Sequence, residues 1–245
     1  MSNLCAGPVT LRHTLLYLTL GLGVPTAALA QVGHDPQSSP YRDVPEKYII
    51  SFTGGYSWAS GGKVNVGPGE GTVYGARGDI HLAGPGTVHI GLNFGNLDRL
   101  LLDPRKPPEE RELGWTTQTV MMADVGLNLV LTGQKSWYGI APFIGASIGI
   151  AIGGDVPADS LSGYEFNTKF IVTPAIGIRW HPIRRINLRV EFRDVLWKLS
   201  YPNVFFEPPT EDPGIPPVLD PNFNKATDWT HNPSLYVSLG FAFGR

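Results

Sequence analysis

Three groups of residues in this sequence are of types and spacings that could do chemistry. Ser234 and His231 lie three positions apart, with Asp220 and Asp228 in the stretch before them. A nucleophile, a histidine and a carboxylate are the parts of an acyl-transfer or lipid-hydrolysing site. Their spacing matches no motif, and a stretch rich in Asp, Pro and Asn holds such residues by chance. No catalytic residue is therefore assigned, and the chain is not read as an enzyme; a lipid-A-modifying activity stands behind the other readings. His81 and His89 flank "AGPG" (83–86) and become cross-strand neighbours if that turn is centred on Pro85. Two imidazoles without a third ligand do not make a metal site, so no metal or cofactor is expected.

The third group is larger. Arg77, Asp79, His81, His89, Asp124, Glu165, Lys169, Arg179, Arg189, Glu191 and Arg193 sit at every second position of otherwise apolar stretches. In "INLRVEFRD" (186–194), Asn187, Arg189, Glu191 and Arg193 alternate with Ile186, Leu188, Val190 and Phe192. A period of two is that of a strand, so the charges share one face and the aliphatics the other. Five cations facing four carboxylates suit an ionic network that fills a narrow interior. Burying them is costly unless they are paired. The other chemistry open to such a face is a narrow hydrophilic pathway for small solutes.

The elements that must position these groups follow from the same alternation. It recurs in 47–58, 74–82, 87–95, 116–131, 138–152, 165–180, from 186 onward, and in 234–243. Eight strands of about ten residues match the length of a tilted membrane-crossing strand. Only 16% of the 245 residues are charged, against roughly a quarter in a soluble domain. After residue 30 no apolar run is long enough for a spanning helix, which leaves a closed barrel as the way to cross a bilayer. The polar face is built of Gly, Ser, Thr and Asn with a few charges, small enough for the inside of eight strands. A water-soluble barrel with an apolar lumen would instead carry Lys and Glu on that face. The charges are therefore expected inside and the aliphatics against lipid. Tyr48, Trp58, Trp137, Tyr138, Trp180, Trp197 and Tyr236 lie near strand ends, where an aromatic girdle is expected.

The connections alternate in length. Residues 83–86, 132–136 and 181–185 make short links, while 59–73, 96–115, 153–164 and 202–233 make long ones, the asymmetry of a barrel with short periplasmic turns and long extracellular loops. "DPRKPPEEREL" (103–113) and "FFEPPTEDPGIPPVLDPNF" (205–223) are Pro-rich and charged; they are expected to stay open and extended without a core, as surfaces for an external ligand. At the start, Arg12 and His13 precede the apolar "TLLYLTLGLGV", and "ALA" (28–30) supplies small residues for cleavage, so 1–30 reads as a cleaved export signal. Residues 31–46 read as a periplasmic tether and 47–245 as the transmembrane barrel. Cys5, the sole cysteine, precedes the apolar run, so no disulfide is expected. Removal of Arg12 with the signal takes the formal charge from −2 to −3, too mild to indicate a nucleic-acid partner.

At this point the chain resembles the small eight-stranded outer-membrane proteins exemplified by the OmpA transmembrane domain, OmpX and OmpW. The resemblance covers about 47–243 and rests on strand count, loop asymmetry and the final strand "LYVSLGFAF", whose Gly240, Phe241 and Phe243 look like the signal read by the barrel-assembly machinery. Members of the group end on the aromatic residue, whereas Gly244 and Arg245 follow here. The resemblance implies an all-β, up-and-down antiparallel barrel, a monomer, set in outer-membrane lipid and lipopolysaccharide. It implies no activity, since fold does not specify function.

Overall fold

Alternation of outward apolar and inward polar residues has a structural consequence when it is kept over eight strands, because the polar faces can all be covered only if the sheet closes on itself. The computed structural model describes residues 39–44, 47–82, 84–183, 185–210, 212–220 and 227–244; the expected signal (1–30) and residues 31–38 of the expected tether lie outside them. The strands among the described residues are β1 (Tyr41–Asp43), β2 (Tyr48–Trp58), β3 (Glu70–His81), β4 (Gly86–Leu102), β5 (Glu112–Val130), β6 (Lys135–Trp137), β7 (Ile140–Gly153), β8 (Thr168–Ile183), β9 (Ile186–Asp194), β10 (Leu196–Ser200), β11 (Thr227–Thr230) and β12 (Pro233–Phe243). Antiparallel pairs run β2–β3–β4–β5–β7–β8–β9–β12 and back to β2, where Phe243 lies opposite Tyr48. The chain is thus a closed eight-stranded antiparallel barrel, and closure leaves the ring no free edge. β10 continues β9 past Val195 and pairs with β11, so the last hairpin rises above the ring.

The two faces divide as the alternation requires. Phe52 is 74% exposed, Ile90 63% and Ile176 57%, whereas Asp79 is 2% exposed and Arg189 1%. Monomers in water rarely show apolar patches above a few hundred Å², and here the apolar belt runs round the barrel wall. That belt gives a graded expectation. Leu127→Arg, near the middle of the outward row from Met121 to Leu131, should destabilise the barrel by about 2–4 kcal/mol, and Leu131→Arg at the row's end by about 0–1 kcal/mol. Denaturant unfolding in lipid vesicles would check this. Equal costs at the two positions would mean that the belt does not face hydrocarbon.

Several boundaries differ from the sequence reading, each for a physical reason. β4 and β5 run on well past residue 95 and start well before 116, pairing Asn96 with Thr119 and Asp98 with Thr117, so only 103–111 connects them. Two outward pairs there are polar, with side-chain bonds from Thr119 to Asn96 (3.2 Å) and Thr117 to Asp98 (3.1 Å), while Leu113 and Trp115 further up the same face are exposed and apolar. A strand that has left the apolar belt loses the alternation that marks it in sequence. The β3–β4 turn centres on Gly84 (φ +70°) and not on Pro85, which sets Asp79 opposite His89 and His81 opposite Thr87. The two histidines are therefore not cross-strand neighbours. Residues of the expected tether are also structured: β1 pairs with β6 in the link between β5 and β7, and Ser136 Oγ donates to the Arg42 carbonyl (3.2 Å).

The barrel interior as candidate functional site

Side chains that point into eight strands meet one another across a few ångströms, so their sizes have to be complementary. Glycines leave the room: a Cβ at Gly91 would stand 2.6 Å from Asp124 Oδ1, and one at Gly126 2.6 Å from His89 Cε1. Into the space so left, β3, β4, β5, β8 and β9 send one charged layer. Asp79 lies at its centre, with Arg189 at 2.7 Å, Arg77 at 3.1 Å and Arg179 at 3.4 Å. Glu191 takes Arg193 at 3.0 Å and Arg77 at 3.1 Å. Asp124 takes His89 Nε2 at 3.1 Å and Arg193 at 3.7 Å. With its amide turned so that oxygen faces the cations, Asn128 accepts from Arg77 (2.5 Å) and Arg179 (3.2 Å). All of these side chains are buried.

Of the charged residues singled out from sequence, the structure brings together Arg77, Asp79, His89, Asp124, Arg179, Arg189, Glu191 and Arg193. His81 is half-buried opposite Thr87 and Lys169 half-buried opposite Ala151, and neither joins these ion pairs. Glu165 does not enter the lumen. β8 begins only at Thr168, Asn167 has φ +55°, and that left-handed residue inverts the alternation. Glu165 is consequently exposed and accepts from the Asn167 amide (3.2 Å), while Phe166, expected on the lipid side, is buried.

The layer thus holds four guanidiniums against three carboxylates. Aromatic faces take part of the excess, with Arg179 5.1 Å and Arg189 5.7 Å from the Phe143 ring centre and Arg193 5.1 Å from that of Tyr236. A guanidinium over an aromatic ring gains roughly 0.5–2 kcal/mol. Tyr236 and Trp197 therefore do not belong to the girdle in which they were expected; both are buried inside. The signal was present, because the parity that turns Arg193 inward does the same for Trp197, and that of Ser234 and Ser238 does so for Tyr236.

Above the charged layer, toward the long connections, the lumen turns apolar, which the sequence reading missed. Val73, Leu97, Val120, Met122, Ala151, Ile171, Trp197 and Leu199 face inward there and pack with loop residues Val66, Tyr164, Phe166, Tyr201, Phe205 and Leu219. Phe166 meets Trp197 edge to face at 5.3 Å. Tyr201 Oη accepts from the Lys63 amide (2.9 Å), and the Leu219 amide donates to the Phe205 carbonyl (2.7 Å). Arg111, at the base of the β4–β5 loop, is buried and donates to the Pro216 (2.6 Å) and Lys106 (3.1 Å) carbonyls. Burial lowers the Arg111 pKa. These loops are thus not open throughout: Phe205 and Leu219 fold down as a cap over the mouth, while 105–110 stay exposed.

The remaining candidates come apart. Ser234 is buried, and its hydroxyl lies within hydrogen-bond distance of Ser57 Oγ (2.9 Å) and of the Asn232 carbonyl (3.1 Å). His231 is exposed and pairs instead with Asp194 (2.6 Å). Gly240 points inward and Phe241 and Phe243 outward on β12, and Phe243 stacks on Tyr48 at 5.6 Å.

No protein-family model and no curated protein matches the chain. Solved structures similar to it include Neisserial surface protein A, with 11% identity, TM-score 0.49, and coverage of 84% of this chain and 98% of that one. The N-terminal β-barrel domain of Pseudomonas aeruginosa OprF has 10% identity, TM-score 0.42, and coverage of 81% and 98%. The outer membrane protein AlkL has 12% identity, TM-score 0.45, and coverage of 87% and 96%. What the chain has in common with these small outer-membrane proteins is the closed eight-stranded barrel.

Proposed function

We propose that the chain is an outer-membrane barrel with a structural or surface-interaction role, whose lumen is closed and carries no solute. It is exported through a cleaved signal, stands as a monomer in lipid and lipopolysaccharide, and is inserted by the barrel-assembly machinery through Gly240, Phe241 and Phe243. Its long loops face outward, where an external ligand can meet them. One observation carries this reading: two closures stand in series along the lumen, the paired charges around Asp79 and the apolar cap around Trp197 and Phe205. Dehydrating an ion through the second closure is costly even where the first offers polar contacts.

Two measurements test the proposal. In planar bilayers the unmodified barrel should show only rare, small openings; stable, large channels would overturn it and support a narrow passage for small solutes. For orientation, protease added to intact cells should cut within 103–113 or 205–223 and spare 83–86, 132–136 and 181–185. Cleavage at the short links in sealed cells would reverse the topology.

A further inference from the structure

The described part of the expected tether is laid against the barrel wall as a strand. β1 pairs with β6, which sets Tyr41 opposite Trp137 and Asp43 opposite Lys135. From Trp137 the register runs on through Ile140 and Trp180 to Leu188, Leu239 and Phe52. Residues directly opposite one another in a sheet share a face, so Tyr41 and Trp137 stand on the face that carries the apolar belt. The other face of the strand pair holds Arg42 and the buried Ser136. Tyr41 is 52% exposed, Trp137 50% and the adjoining Tyr138 61%. Tyr138 and Gly139 link β6 to β7 with φ of +49° and +84°. A two-residue hairpin turn with both angles positive favours Asn, Asp or Gly at its first position, and a bulky residue there is strained. The Tyr138 amide is tied to the Pro40 carbonyl (2.9 Å), and its ring meets Trp137 edge to face at 5.2 Å. Strain of this kind points to a use for the side chain so placed.

What covers these rings follows from the composition and continuity of the face. Through Ile140 and Trp180 it runs without a break into the lipid-facing belt, so the layer that borders the belt at the short-link end borders this face as well. Hydrocarbon is excluded, because the same face carries the exposed charges of Asp43 and Lys135, which are costly to place there. Tyr and Trp, each with an apolar body and a polar tip, suit the hydrated headgroup layer between hydrocarbon and water. A second copy is a poor fit: two strands of three residues fall far short of the roughly 800 Å² per partner that a stable interface buries.

We propose that β1 and β6 form a foot that docks on the phospholipid headgroups at the short-link end, with Tyr41, Trp137 and Tyr138 seated among them, and that this contact holds the N-terminal segment against the membrane. It rests on the membrane placement proposed above.

The test uses the full barrel in vesicles of phosphatidylethanolamine and phosphatidylglycerol, with Cys5→Ser removing the sole cysteine and a nitroxide carried on Tyr41→Cys, Arg42→Cys or Leu127→Cys. Power saturation compares collisions with oxygen, which enters lipid, and with a nickel chelate, which stays in water. The oxygen-to-chelate ratio at Tyr41 should fall between the high value at Leu127 and the low value at Arg42. The Tyr41 label should also speed phosphorus relaxation of the headgroups more than the Leu127 label does. Trp137→Cys repeats the reading from the neighbouring strand if a label at Tyr41 disturbs β1. Ratios at Tyr41 and Trp137 equal to that at Arg42, with Leu127 still in lipid, would overturn the proposal and leave the barrel in its membrane. A low ratio at Leu127 would overturn the membrane placement itself. Dipolar broadening between Tyr41 labels would assign the face to a second copy and overturn the proposal as well.

Discussion

Asp79→Ala is expected to be the most damaging single charge deletion in the barrel, costing at least about 3–5 kcal/mol, the range for removing one partner of a buried ion pair. Asp79 serves three guanidiniums, those of Arg77, Arg179 and Arg189, at 2.7–3.4 Å. Its loss leaves four arginines facing Asp124 and Glu191 alone. The other deletions are milder by the same reasoning. Glu191 has two partners within 3.1 Å, and Asp124 has one arginine at 3.7 Å and a histidine. The order Asp79, then Glu191, then Asp124 should therefore appear in denaturant midpoints measured in vesicles. Because these groups are buried, the order should persist at high salt, which screens exposed pairs far more. Asp79→Ala combined with Arg189→Met should recover part of the loss, since paired removal of buried charges by apolar groups of similar volume is often neutral. Equal stability of Asp79→Ala and the unmodified barrel would mean that charge pairing does not hold the layer.

Trp197→Ala should cost about 3–5 kcal/mol as a large-to-small change in the cap, because the indole is 1% exposed and packs against Phe166. Its effect on conduction separates the two closures. If the ionic layer were the sole barrier, Glu191→Ala would open the lumen by freeing Arg77 and Arg193. With an apolar cap in series, the tighter barrier governs the current, so Glu191→Ala alone should stay near zero. Trp197→Ala alone should also stay small, because the charged layer below is intact. The double variant should conduct measurably in planar bilayers. Large openings from Glu191→Ala by itself would show that the cap does not seal the mouth.

How much of this was legible in the sequence depends on which residues are asked about. The strands within the apolar belt were readable, because a wall between lipid and a narrow polar interior forces strict alternation at positions such as Leu188/Arg189 and Leu127/Asn128. By itself the sequence determined the barrel and the inward direction of Arg77, Asp79, Asp124, Arg179, Arg189, Glu191 and Arg193. Past Gly95 the outward residues of β4, Asn96 and Asp98, are polar and the alternation ends, so β4 reads as loop from 96 onward although Asn96 pairs with Thr119. Only the tertiary structure decided the rest. One left-handed residue, Asn167, inverted the faces of Glu165 and Phe166, and a turn centred one residue earlier moved His89 from His81 to Asp79. The cap draws Val66, Phe166, Phe205 and Leu219 from loops far apart in the chain. A loop residue has no fixed period to announce where it points, and it packs inward only because the barrel mouth offers apolar surface that several loops cover at once.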